Sequence, residues 1–136
     1  MKRTIFLDTG YFLALIRNND AYHEVALTAA ENYAGPFVTT DLVLVEFANS
    51  LSQPAYRATA TVVIEKIRAD GNVRLLPFDS LGMKKAFALY KSRPDKAWGL
   101  CDCFSFVVMK EERLKVALSF DEHFRQAGFE VPLLGR

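Results

Sequence analysis

Four carboxylates stand where a folded chain has little reason to keep a charge: Asp8, Glu46, Asp102 and Asp121. Asp8 follows the apolar run Ile5-Phe6-Leu7, and Asp121 follows Val116-Ala117-Leu118-Ser119-Phe120, so each closes a segment that reads as a core strand. Glu46 lies in Leu42-Val43-Leu44-Val45-Glu46-Phe47-Ala48, whose apolar residues cover most of a helix circumference. That pattern predicts a buried helix and a desolvated Glu46. Asp102 repeats the arrangement in Leu100-Cys101-Asp102-Cys103-Phe104. A lone buried carboxylate either protonates or acquires a positive partner, because desolvating its charge is costly. Basic residues are scarce within these two helices, so a metal ion is the simplest shared partner.

Oxygen-only ligands suit Mg²⁺ or Mn²⁺ and give no reason to expect zinc. One or two hard ions can lower the pKa of a bound water, position it, and stabilise the leaving oxygen of a phosphodiester. Such chemistry needs no histidine base and no nucleophilic side chain. The sequence accordingly carries no G-x-S-x-G elbow, Walker glycine loop or dinucleotide-binding glycine fingerprint. Each acid also has a structural explanation. Asp121 can cap a helix, Asp102 can sit in a first turn favoured by the helix dipole, and Glu46 can pair with Arg17 or Arg57. The coincidence of four such acids favours a common purpose.

The elements that must position them alternate between strand and helix. Strand patterns cover Thr4–Leu7, Phe37–Thr39, Val73–Phe78, Lys115–Phe120 and a last segment near Glu130–Leu134. Helical spacing covers Tyr11–Arg17, a stretch from a cap at Asp20 to about Tyr33, Leu42–Leu51 and Ala55–Ala69. Further helices run from a cap at Asp79 or Ser80 to Lys91, from Leu100 to Glu112, and for a short stretch after Asp121. Strands separated by helices imply crossovers, hence a three-layer α/β sandwich with a central, mainly parallel sheet. In such sheets ligands bind beyond the carboxyl ends of the strands, where Asp8 and Asp121 fall.

With 136 residues, 51% hydrophobic and 24% charged, the composition is that of an ordinary globular domain, and residues 1–136 are expected to form a single one. The longest apolar runs are too short for a membrane span, and Asp8 puts an acid inside the first apolar run after Lys2 and Arg3, so a cytoplasmic protein without a signal peptide is expected. Cys101 and Cys103 point to different helix faces, which predicts buried free thiols rather than a disulfide. Net charge is +1; setting aside the four acids leaves 12 others against 17 bases, a balance suited to a phosphate backbone.

These residues resemble the PIN-domain family, in particular the VapC-type toxin ribonucleases of toxin–antitoxin pairs. Ile5-Phe6-Leu7-Asp8-Thr9 resembles the family's first acidic motif, and Thr39-Thr40 through Glu46-Phe47-Ala48-Asn49 its second. Asp95, Trp98, Leu100 and Asp102 resemble the third, and Ala117 through Phe124 the fourth. The resemblance implies a Mg²⁺ cluster of Asp8, Glu46, Asp102 and Asp121 supported by Thr9 and Ser119, an RNA substrate, a homodimer, and a cognate antitoxin. Ser119 stands where the family commonly has threonine, and Gly99 where it often has a small hydroxyl residue.

Among the remaining residues, Lys91, Arg93 and Lys96 belong to the densest basic stretch, a solvated face or a track for the RNA backbone. Asp95 reads as a cap for the next helix, Trp98 as a packing anchor, and His123 as a surface or supporting residue. The main alternative is a non-catalytic PIN-like module that binds RNA or protein. A phosphoacceptor receiver also places acids at strand ends, but Asp8 lacks the acidic neighbour two residues on that this would require.

Overall fold

The computed structural model describes residues 3–135. Four apolar or β-branched runs form strands β1 (Ile5–Leu7), β2 (Phe37–Thr40), β3 (Val73–Leu76) and β4 (Val116–Leu118). All pair in parallel in the order β3-β2-β1-β4, so Ile5 faces Phe37 on one side and Val116 on the other. The central β1 and its neighbour β4 are buried along their whole length, as expected for a parallel sheet covered on both faces.

Helices occupy every crossover: α1 (Thr9–Ile16), α2 (His23–Asn32), α3 (Asp41–Ser50), α4 (Pro54–Ala69), α5 (Ser80–Ser92), α6 (Leu100–Glu111) and α7 (Glu122–Gln126). Their starts have chemical causes. The Thr40 hydroxyl accepts from the Val43 amide at 3.1 Å, the Asp79 carboxylate accepts from Gly82 at 2.7 Å, and Pro54 sits in the first turn of α4. The chain steps from β1 to β2 to β3 in one direction, then returns to the far side of β1 for β4. Right-handed crossovers therefore place helices on opposite faces before and after the return. Accordingly α1 packs on α2 and α3, and α3 on α4, whereas α5 packs on α6 and α6 on α7.

The core is aromatic at its centre. Phe6, Phe47, Phe106 and Phe124 are fully buried, and the Phe106 ring meets Trp98 and Phe124 edge-on, each at 5.0 Å between centroids. Because Phe106 and Asp102 share α6, this packing also fixes the helix that carries one of the acids. Among the described residues, no helix is long and apolar enough to cross a membrane.

Three expectations change. The last strand contracts to one parallel bridge between Val116 and Glu130, followed by a 3-10 turn at Pro132–Leu134; Pro132 has no N–H to extend a ladder. Asp20 does not start its helix directly but accepts from the Tyr22 amide at 2.8 Å in the turn before α2. The helix bearing Glu46 is not buried all round: Val45 is 51% exposed, because α3 packs through Val43, Leu44 and Phe47 and leaves its opposite side to solvent.

Removing the central aromatic should cost what a large cavity costs. Phe106→Ala is expected to lower the unfolding free energy by about 3–5 kcal/mol in urea titrations; a loss under about 1 kcal/mol would mean the ring is not a keystone of α6.

Candidate functional site

The sheet reverses direction between β1 and β4, the place where an open α/β sheet forms a crevice. Asp8 leaves β1 there and becomes the N-cap of α1. Its backbone N–H donates to Leu118 at 3.2 Å, and its Oδ2 accepts from the Ser119 hydroxyl at 2.8 Å. Ser119, fully buried just past β4, accepts in turn from the Asp121 amide at 3.0 Å. One hydroxyl thus ties the ends of both strands together.

The helical acids arrive from two sides. Glu46, on α3, accepts through Oε1 from the Thr9 hydroxyl at 2.9 Å, which fastens α3 to the first turn of α1. Asp102, in the first turn of α6, accepts through Oδ2 from the Gly99 amide at 2.9 Å. Asp121 caps α7, its Oδ1 accepting from the His123 amide at 2.9 Å. The capping explanations for Asp102 and Asp121 therefore hold as geometry, and the same geometry keeps both carboxylates turned to one place. The arginine partners considered for Glu46 are otherwise engaged: Arg17 donates to the Ser50 carbonyl and Arg57 to that of Ser52.

Electrostatics links three of the acids, Asp8, Glu46 and Asp102. Burial pushes the Asp8 carboxyl up to about 7; hydrogen bonds from Ser119 and the Thr9 backbone oppose the shift, and the charges of Glu46 and Asp102 add to it. Cys101 feels the same field. Its thiol is pushed up to about 12 by burial first and then by the neighbouring Glu46, Asp102 and Asp8 charges. Of the two free thiols expected to be buried, only Cys103 is; Cys101 is half-buried, because its side of α6 lies against the acids. Such a high pKa leaves it without thiolate character near neutral pH.

This donor set fits a hard divalent cation. The oxygens are oriented by neutral hydroxyls and amides, and among the described residues no lysine or arginine forms an ion pair with any of the four acids. Negative charge gathered in one place and oriented without neutralisation is what Mg²⁺ or Mn²⁺ requires. Thr9 and Ser119 each donate to one of these carboxylates, Glu46 and Asp8.

His123, read from the sequence as a surface or supporting residue, lies beside two of the acids. Its Nδ1 stands 3.1 Å from Asp102 Oδ2 and 3.2 Å from Asp121 Oδ1, and polar atoms of the three side chains lie within 4.8 Å of one another. The available signal was its place two residues after a capping aspartate, in a first turn that points back toward the cap. Asp95 differs from expectation too. It pairs with Arg93 through both oxygens, at 3.0 and 2.9 Å, and Arg93 holds its carboxyl down to about 2. It does not cap α6, since Asp102 supplies that contact. Trp98 is an anchor, buried against Phe106 with its Nε1 donating to Gln126 at 3.0 Å. In the basic stretch, Arg93 stacks over Trp98, Lys91 lies over Phe87, and Lys96 lines the same groove, which ends at Gly99 and Leu100 beside the acids.

Fold and site together define an α/β protein with an acidic crevice at the reversal of a parallel sheet. The chain belongs to the PIN domain family, whose model matches residues 5–130. Its structure is similar to that of VapC20 from Mycobacterium tuberculosis, a Sarcin-Ricin loop cleaving toxin, with 26% identity and a TM-score of 0.84 over 93% of this chain and 96% of that one. FitAcB from Neisseria gonorrhoeae shares the fold at 16% identity and a TM-score of 0.70, over 98% of this chain and 100% of that one. VapBC2 from Rickettsia felis, solved with a promoter DNA fragment, shares it at 12% identity and a TM-score of 0.64, over 94% and 96%. No curated protein matches the chain.

The raised Asp8 pKa has a thermodynamic consequence. A carboxyl whose folded pKa lies near 7 but whose ordinary value is 3.8 favours folding only while it is neutral. That stability is fully present below about pH 4 and is lost as pH rises through about 7. In chelator-treated protein, Asp8→Asn should therefore match the wild type in Tm near pH 4 and exceed it near pH 8, by a few degrees or more. Equal or lower stability of the variant at pH 8 would contradict the shift.

Proposed function

We propose that this chain is a divalent-metal-dependent endoribonuclease, the toxin component of a type II toxin–antitoxin pair, acting in the cytoplasm as a single PIN-like domain. The observation that carries the reading is the set of carboxylates at the sheet reversal, oriented by hydroxyls and amides and, among the described residues, paired with no lysine or arginine. In it, Asp8, Glu46, Asp102 and Asp121 hold Mg²⁺ or Mn²⁺. The bound ion would supply water activation and stabilisation of the leaving oxygen of an RNA phosphodiester.

The protein's own groups do the rest. Ser119 and Thr9 fix the oxygens of Asp8 and Glu46, so ligand geometry is set before binding. Lys91 and Lys96, with Arg93 beside them in its pair with Asp95, offer positive charge to the RNA backbone along a groove whose lining includes Gly99, the residue that donates to Asp102. A homodimer is supported by the exposed side chains of Met83, Phe87 and Tyr90, which share one side of α5 and form an apolar face that a second copy would cover. A cognate antitoxin is supported by the similarity to VapC20, a toxin, and by the resemblance to the VapC-type members of the family.

Purified protein incubated with structured RNA should cleave it with Mg²⁺ or Mn²⁺ and not with excess chelator. Asp8→Asn and Asp121→Asn should each lower the rate by about two orders of magnitude or more while the fold is kept. Cleavage that survives chelation, or a wild-type rate from Asp8→Asn, would contradict the assignment. RNA binding without turnover under saturating Mn²⁺ would instead favour a binding module.

A further inference from the structure

The acids of α6 and α7 come from separate elements, and like charges so close repel. Asp102 and Asp121 lie on either side of one nitrogen, His123 Nδ1, at 3.1 and 3.2 Å. A carboxylate oxygen accepts, so in the hydrogen bond to Asp102 Oδ2 it is Nδ1 that donates. We propose that His123 is a positioning residue for the metal site: its Nδ1–H holds Asp102, and because His123 lies two residues after Asp121 this bond keeps the two acids in register across the α6–α7 boundary. This inference rests on the metal-dependent reading above.

The contacts specify which oxygens are held. His123 Nδ1 faces Asp102 Oδ2, which already accepts from Gly99, and Asp121 Oδ1, which already accepts from the His123 amide. The imidazole therefore reinforces the Asp102 oxygen that local capping has already engaged, stands 3.2 Å from the capping oxygen of Asp121, and leaves Asp102 Oδ1 and Asp121 Oδ2 untouched. A histidine acting as a metal ligand would instead turn a bare nitrogen toward the ion. The arrangement is that of an outer partner that orients ligands, a class of residue whose loss weakens metal binding without removing a donor atom.

The imidazole is itself well held. His123 is only partly exposed, at 27%, and the adjacent Phe124 is fully buried against Phe6 and Phe106, which pins the first turn of α7 to the core. The nearest charged groups on α7 are Glu122 and Arg125, and these pair with each other at 3.3 Å. Serving both acids thus falls to His123 among the side chains of this helix.

The test measures Mn²⁺ binding to the RNA-free protein by electron paramagnetic resonance, which counts free Mn²⁺ directly, alongside Tm in chelator. The wild type should bind. His123→Ala should bind about 10- to 100-fold more weakly, whereas His123→Asn, whose side-chain amide can place an N–H near the position of Nδ1, should recover most of that loss. Alanine binding as tightly as the wild type overturns the inference while leaving the metal site standing. An asparagine variant as weak as alanine also overturns it, because the N–H would then not be the active feature. No Mn²⁺ binding by the wild type overturns the metal-dependent reading and this inference with it. A second measurement does not depend on the variants folding: nitrogen NMR of the wild-type imidazole should show the proton on Nδ1, and a bare Nδ1 would refute the arrangement.

Discussion

Keeping carboxylates from the end of β1, α3, α6 and the start of α7 at one end of the sheet is the constraint that the rest of the structure answers. Left to solvent, these groups would separate and hydrate. They stay together because each is attached to an element that the core locks in place: Asp8 to the central strand, Asp121 to the end of its neighbour, and Glu46 and Asp102 to helices whose buried faces carry Phe47, Phe104 and Phe106. Hydrophobic packing elsewhere offsets the cost of gathering charge here. The raised Asp8 pKa reflects its burial first and the Glu46 and Asp102 charges after it.

Neutral donors make the arrangement usable. Had lysines or arginines compensated the acids, the pocket would be stable and inert toward cations. Instead, hydroxyls of Ser119 and Thr9 and amides of Gly99 and His123 orient single oxygens and leave the charge in place. The hydroxyl of Ser119 serves Asp8 and the Asp121 backbone at once, so serine supplies what the threonine common at this position in the family would supply. A stability deficit tolerated at a functional site is a common trade in proteins whose sites must bind ions or substrates.

Much of this was legible in the sequence. The alternation of apolar strand runs with helical spacing implies the layered parallel sheet, and the strand ends at Asp8 and Asp121 lie where the strand order reverses. What was not legible has physical causes. The period of apolar residues around Glu46 suggested burial on all sides, but periodicity reports hydrophobicity and not which neighbours exist, and Val45 faces solvent. The apolar segment after Glu130 looked like a strand, yet Pro132 limits it to one bridge. Asp95 and His123 exchanged importance. Asp95 lies in a motif position but spends its charge on Arg93, while His123 meets an acid 21 residues away in sequence, a contact that no local pattern encodes.

The central claim is that these four carboxylates form one cation site. Crystals grown in Mn²⁺ and measured near the manganese absorption edge test it most directly. The account predicts an anomalous peak at the reversal between β1 and β4, with oxygens of Asp8 and at least two of Glu46, Asp102 and Asp121 within about 2.0–2.6 Å or bridged to it by water. A map without a peak there at saturating Mn²⁺, or with the only ordered ion elsewhere on the molecule, would contradict it.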